Sequence, residues 1–232
     1  SGVLEQLYAP FPNQLRQSSY GLYSGSLVRF QVDYSDLKLH FQIGDIVLPP
    51  IKSEPGLFDA QLPWEATGLI GASPVVVVSS EDSPFVLRTQ IFVLNRPAPW
   101  LFTHPANGNL IAANADFTRL IDEGNPARAG ELIHFWVTGL GPLNRTLSTG
   151  EKGPADPPAM PLLPMACYLF SLKGNLPPVG LRLPALIYAP NLVALYQVDA
   201  ELPRAWPTEE SEITCKGETT GSSGRIFISA AP

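Results

Sequence analysis

Gly25-Ser26-Leu27-Val28-Arg29-Phe30-Gln31-Val32 and Gly130-Glu131-Leu132-Ile133-His134-Phe135-Trp136-Val137 read as one segment written twice. Two more matches follow in the same order. Asp59-Ala60-Gln61-Leu62-Pro63 resembles Asp199-Ala200-Glu201-Leu202-Pro203, and Ile91-Phe92-Val93 resembles Ile226-Phe227-Ile228. Matches in a fixed order mark an internal repeat. The offset between copies is 105 residues at the first match (25 to 130) and 140 at the second (59 to 199), so the second copy carries 35 more residues between them. Much of that excess is assigned to residues 142–164, whose Pro, Gly, Ser and Thr content reads as a long loop.

The matched segments are short, rich in Val, Ile and Phe, and bounded by Gly, Pro, Ser and Asp, which is the pattern of strands. Pro74-Val75-Val76-Val77-Val78-Ser79-Ser80 is a β-branched run, and Glu212-Ile213-Thr214-Cys215-Lys216-Gly217 takes its place in the second copy. Turn signals every eight to twelve residues suit an antiparallel sandwich. The one stretch with a hint of helix, 106–122, contains Gly108, Asn109 and Asn114 and reads instead as a hairpin. The expected fold is all-β, two tandem immunoglobulin-like sandwiches. The stiff junction Arg96-Pro97-Ala98-Pro99 separates a first module, 1–95, from a second, 96–232.

Side chains alternate across a strand with period two. Val28, Phe30 and Val32 therefore share one face, as do Ile133, Phe135 and Val137. Both faces are wholly apolar and are expected to line the cores. The opposite faces carry Arg29 and Gln31 in the first copy, His134 and Trp136 in the second. A bare Trp136 would forgo about 1.5–3 kcal/mol of burial energy. The 142–164 loop or the neighbouring module is expected to cover it, or else an external partner does.

Composition narrows the function. The chain has 232 residues, 45% of them hydrophobic and only 16% charged, with a net charge of −6 and no run of three Lys or Arg. Clustered cations, which nucleic-acid binding and anionic membranes demand, are missing. No apolar stretch reaches the ~20 residues of a membrane-spanning helix. The 25 prolines argue against long helices.

The second module resembles a known family. The carrying residues are Asn114-Ala115-Asp116, Asn125-Pro126-Ala127-Arg128-Ala129-Gly130-Glu131, Val137-Thr138-Gly139-Leu140-Gly141-Pro142, Thr149-Gly150-Glu151 and Leu195-Tyr196-Gln197-Val198. They are similar to the uncharacterised C-terminal domain family that recurs in secreted Solibacter-type bacterial proteins. The first module, through Asp59-Ala60-Gln61-Leu62-Pro63-Trp64-Glu65, resembles the compact domain that precedes it there. The resemblance implies sandwiches of the IPT/TIG kind at the end of a larger exported protein, secreted or held in the cell envelope, and implies no activity. Met165-Ala166-Cys167-Tyr168-Leu169-Phe170 departs from the Gly-rich strand expected after the long loop.

Candidate chemistry is sparse. His40, His104 and His134 lie in separate segments without an i, i+4 metal pair. Glu81-Asp82, Asp122-Glu123 and Glu209-Glu210 read as solvated turns, and Asp122-Glu123-Gly124-Asn125 lacks the ligand spacing of a calcium loop. No Gly-x-Ser-x-Gly elbow exists. Neither an enzyme nor a cofactor is expected. Cys167 and Cys215, both in strands of an exported sandwich, are either a disulfide or two buried thiols. Trp64, Trp100 and Trp206 neighbour prolines, where such rings close sandwich ends or interfaces, or stack on sugars. Trp136, His134, Trp64 and Trp206 are the candidates for a binding or inter-module surface. Two functions stand: a structural or adhesive module pair, with a surface protein as its partner, or an accessory carbohydrate-binding module.

Overall fold

In the computed structural model the described residues are 23–31, 39–54, 57–65, 75–80, 86–90, 96, 98–173, 176–207, 210–218 and 221–229. They form strands and no α-helix. The first half supplies β1 (Leu27–Gln31), β2 (Leu39–Ile43), β3 (Ile46–Val47), β4 (Pro50–Glu54), β5 (Leu57–Gln61), β6 (Val75–Ser80) and β7 (Val86–Gln90). These make two sheets, β1-β5-β4 and β3-β2-β6-β7. The second half supplies β8 (Trp100–Leu101), β9 (Ala112–Asn114), β10 (Ala127–Arg128), β11 (Leu132–Thr138), β12 (Ala166–Ser171), β13 (Val179–Gly180), β14 (Arg182–Tyr188), β15 (Tyr196–Glu201), β16 (Glu210–Lys216) and β17 (Gly221–Ser229). Its sheets are β14-β15-β11-β8, with β9 also on β11, and β10-β17-β16-β12-β13. Each sheet draws its described strands from one half of the chain. The orders are the B-E-D and C-F-G arrangements of the immunoglobulin sandwich, so the fold is two such sandwiches in tandem. In the second, the first strand is split: β8 runs antiparallel to β11, and β10 runs parallel to β17.

The pairing registers of the two halves correspond residue by residue. Val28 faces Ala60 and Arg29 faces Asp59, while Ile133 faces Ala200 and His134 faces Asp199. Phe41 faces Val78 and Ile43 faces Val76, while Cys167 faces Cys215 and Leu169 faces Ile213. Even the irregularity recurs, a register shift between Pro50 and Lys52 in one copy and between Arg182 and Ala185 in the other. Counted along these equivalences, the offset is 105 at β1 and β11, 126 at β2 and β12 (41 to 167), 133 at β4 and β14 (52 to 185), and 140 at β5 and β15. Most of the excess thus lies before β12. The rest is shared by the turn after β12 and the turn 189–195. The third sequence match, Ile91-Phe92-Val93, and Val32 lie outside the described residues.

Side-chain alternation explains the layers. Val28, Phe30, Phe41, Phe58 and Leu62 fill the first core, where the Phe41 and Phe58 rings stack 3.9 Å apart. Ile133, Phe135 and Val137, each 0% exposed, fill the second with Leu169, Tyr196, Val198 and Ile213. Most strands of the second module alternate buried and accessible positions, as β15 and β16 do. β11 is instead buried on both faces from Ile133 to Thr138, as is the short β9 that pairs with it. Trp136, 3% exposed, belongs to a separate cluster with Phe102, Ile111, Leu192, Val193, Leu195 and Leu27 of the first module. The 142–164 loop does not form this cover, contrary to one sequence-based expectation. Its apolar side chains Leu143, Leu147 and Ala159 are used inside the second core. The cover is the 189–195 turn together with the first module.

Replacing Phe135 with Ala is expected to destabilise the protein by about 3–5 kcal/mol, because it opens a cavity where the side chain is fully enclosed. Chemical denaturation of the variant against the parent checks this.

Candidate functional site

Several buried polar groups meet at the junction of the two modules. Gln61 ends β5 and is completely buried. Its side-chain amide donates to the Tyr188 hydroxyl (3.2 Å), and its amide oxygen accepts from the Gly150 backbone N–H (2.7 Å). The Tyr188 hydroxyl also accepts from the Ala194 N–H (2.6 Å). Beside it, the Leu27 N–H donates to the Thr138 hydroxyl (2.8 Å), which donates to the Ala194 carbonyl (2.7 Å). The Trp64 N–H donates to Thr149 Oγ1 (3.0 Å), and that hydroxyl donates to the Glu65 carboxylate. This bond holds the Glu65 carboxyl below the ordinary range, against a smaller opposing effect of burial.

Thr138 and Tyr188 end the strands β11 and β14, and the other second-module residues in this network come from its insertions. Thr149 and Gly150 belong to the long loop, and Ala194 to the 189–195 turn, which the first module replaces with two residues between β4 and β5. Gly150 has φ +84°, and a Cβ there would lie 2.9 Å from Pro49, so only glycine brings the loop this close. Gly25, at φ +81°, similarly leaves room for the Trp64 ring. Repeat positions locate the specialisation. Trp64 and Gln61 correspond to Arg204 and Glu201, which belong to the end of the second module opposite the junction.

A cleft of about 200 Å³ opens beside the junction, lined by Tyr23, Ser24 and Trp64 from one module and Leu143, Arg145 and Leu147 from the other. It is smaller than the roughly 300–1,000 Å³ of most small-molecule pockets. The Trp64 Nε1–H is buried beside it without an acceptor among the described residues.

The four sequence candidates do not form one surface: His134 and Trp136 are neighbours on the outer face of β11, both against Phe117, while Trp64 and Trp206 lie apart from them. Trp64 lies at the junction, edge-on to Tyr188 with ring centroids 6.0 Å apart. Trp206 is not a surface ring. It is 3% exposed in the second core, and its Nε1–H donates to Ser211 Oγ (2.7 Å). Trp136 is equally buried, for the reason given above. His134 is enclosed too: Nδ1 is 2.6 Å from Asp199 Oδ1, Nε2 is 3.1 Å from the Ala115 carbonyl oxygen, and Phe117 stacks on the ring at 3.9 Å. None of these three offers a bare face to a ligand. Sequence reasoning missed Gln61, Thr138 and Tyr188. A signal existed at Gln61, where a neutral amide stands in place of the second copy's Glu201.

Cys167 and Cys215 are bonded. They face each other on neighbouring strands of one sheet, whereas the disulfide of antibody domains joins the two sheets. The 125–131 motif is structural. Asn114 Oδ1 accepts from the Thr118 and Arg119 N–H groups, Arg119 donates to the Asn125 and Pro126 carbonyls, and Glu131 accepts from the Arg128 N–H. Together these bonds fix the split first strand before β11.

No family model and no curated protein matches the chain. Among solved structures it is similar to the I9–I11 tandem of titin, at 9% identity and TM-score 0.25, over 89% of this chain and 61% of that one. It is similar to the N-terminal eight Ig domains of Down syndrome cell adhesion molecule isoform 1.30.30, at 12% identity and TM-score 0.28, over 90% and 23%. It is also similar to the teleost fish polymeric Ig receptor ectodomain, at 9% identity and TM-score 0.32, over 91% and 95%. The likeness is one of architecture, and the assignment of the fold rests on the strand order.

Replacing both cysteines with Ser is expected to lower stability by up to about 4 kcal/mol, from the chain entropy of the 48-residue separation they close. Thermal unfolding of the double variant against the oxidised parent checks the loss.

Proposed function

We propose that the chain is a non-catalytic structural or adhesive unit of an exported protein, in which two immunoglobulin-like modules are clasped into one rigid body. The observation that carries this reading is the buried junction. A Pro-rich linker alone would leave module orientation open, and relative motion is the default where an interface is small and polar. Here Leu27, Gln61, Thr138 and Tyr188 are all buried in it. The long loop that enlarges the second module serves as the clasp. Unpaired buried polar groups would make separation costly, at about 1–3 kcal/mol for each group left unsatisfied.

Three further observations support the non-catalytic and exported parts. The buried polar side chains Ser24, Ser26, Asp59, Gln61, Asn114, His134, Thr138 and Ser211 each have a partner within the fold. The Cys167–Cys215 bond suits an oxidising compartment. The resemblance to the Solibacter-type family points to the same setting. A carbohydrate-binding module would be favoured by exposed, coplanar tryptophans, and Trp136 and Trp206 are buried.

Gly150→Val tests the clasp. It imposes a β-branched side chain at positive φ against Pro49 while leaving both sandwich cores untouched. Small-angle scattering of the parent is expected to fit one compact arrangement, and that of the variant a broadened one with a larger maximum dimension. Gln61→Ala is expected to destabilise the pair by about 1–3 kcal/mol, since it strands the Gly150 N–H. A parent whose scattering already demands freely jointed modules would overturn the reading.

A further inference from the structure

His134 occupies the position that Arg29 occupies in the first module. Arg29 forms a side-chain ion pair with Asp59, and His134 pairs with Asp199 at the equivalent place. One copy thus holds a permanent cation on the outer face of its sheet and the other a titratable one.

The surroundings of the imidazole select its charged form. The Ala115 carbonyl can only accept, so Nε2 must donate to it. Asp199 Oδ1 already accepts from Gln197 Nε2 at 2.8 Å, so it stands toward Nδ1 as an acceptor and Nδ1 donates as well. Two N–H groups exist only on the imidazolium, because the neutral ring has one donor and one acceptor. Phe117 lies flat on the ring, with an interplanar angle of 14°, in the geometry that favours a cation. It is 43% exposed and adopts φ 57°, an unfavourable conformation for a bulky residue. The turn that carries it is tied by the Phe117 N–H to the Asn114 carbonyl and by the Thr118 and Arg119 N–H groups to Asn114 Oδ1, each 3.0 Å. Phe117 also leans on Trp136, with centroids 6.4 Å apart.

We propose that His134, Asp199 and Phe117 form a pH-operated latch: the imidazolium pins the 114–119 turn against the outer face of β11, and deprotonation releases that turn from beside Trp136. Among the described residues, the other charged groups on the elements packed around the imidazole are engaged elsewhere. On β15 the next carboxylate on this face, Glu201, is paired with Arg182 of β14 at 2.9 Å, and Ala185 of β14 faces Asp199. On β9 Ala113 faces His134, and in the turn Asp116 accepts from Thr118, which keeps its carboxyl below the ordinary range. Arg119 points to the Asn125 and Pro126 carbonyls. On β11 itself the flanking residues on this face, Leu132 and Trp136, are uncharged.

The sign follows from the folded environment. Burial alone would lower the His134 pKa. The hydrogen bonds to Asp199 and Ala115 and the Asp199 charge outweigh it and raise the value. Burial likewise pushes Asp199 up, while the His134 and Gln197 hydrogen bonds and the His134 charge bring it below the ordinary range. The histidine's contribution is complete below its unfolded value of about 6.5 and is lost as pH rises through the folded value. The aspartate's is present above about 3.9 and is lost as pH falls through its own lower value. The latch is closed between those limits and opens on the alkaline side.

This inference is independent of the clasp between modules, and its test leaves that reading untouched. The imidazole C–H resonances of His134 and the amide exchange of Phe117, Thr118 and Arg119 are followed against pH on the oxidised chain, with exchange corrected for its intrinsic pH dependence. The His134 midpoint is expected above about 6.5. Corrected exchange should rise between about 6.5 and that midpoint, tenfold for each pH unit separating them, and then level off. His134→Arg should abolish the rise, and His134→Gln should exchange fast throughout. A His134 midpoint at or below about 6.5 overturns the proposal. So does exchange of the parent that stays flat across the range, or His134→Arg exchange that keeps the parent's pH dependence. If His134→Arg fails to fold, the two titrations of the parent decide.

Discussion

β11 is buried on both faces, and the organisation of the second module follows from that constraint. A sheet strand normally buries one side chain in two. Here Ile133, Phe135 and Val137 fill the sandwich while Trp136 and Thr138 on the other side also lie out of solvent. An outer-face tryptophan needs apolar cover. The 189–195 turn and Leu27 of the first module provide it, so burying one side chain ties the second sandwich to the first.

Unequal insertions give the repeat its asymmetry. In the first copy the connection between β4 and β5 is short. In the second, the loop before β12 is long enough to reach the neighbouring module and hydrogen-bond to it through Thr149 and Gly150. The 189–195 turn packs apolar side chains in the cluster that Leu27 joins, and it bonds through Ala194 to Thr138 and Tyr188. At the end of the second module opposite the junction the equivalent positions carry Glu131, Glu201 and Arg204 in place of Ser26, Gln61 and Trp64. These charged groups keep partial contact with water, Glu131 least, since full burial of a charge costs more than a rim contact returns. Neutral polar groups suit the buried junction, because each can be satisfied by a single well-placed partner.

The two copies also solve equivalent packing problems with different chemistry. Phe41, in the first core and in register with Val78, corresponds to Cys167, which is bonded to its register partner Cys215, so aromatic packing in one copy gives way to a covalent tie between equivalent strands in the other. The outer pair Arg29 and Asp59 is replaced by His134 and Asp199. In each case the backbone register is held while the side chains differ, as expected when ladder geometry fixes which residues meet and leaves open how they interact.

The sequence by itself determined the strands, the repeat and the inward faces. Period-two alternation around Phe30 and Phe135 is a local property, and shifting register by one residue would turn every apolar side chain outward. It also determined that Trp136 needed cover, since the alternation leaves that ring on an outer face. It did not determine what the cover would be. The long loop is rich in proline and looked suited to the task, yet Leu143, Leu147 and Ala159 are drawn into the second core and Thr149 and Gly150 to the first module. Nor did sequence bring Gln61 to Tyr188, 127 positions apart, or place Ala115 and Phe117 around His134. Those contacts depend on how loops of unequal length close over the sheets. Loop closure is decided by competition among all the buried groups at once, so only the tertiary structure settles it.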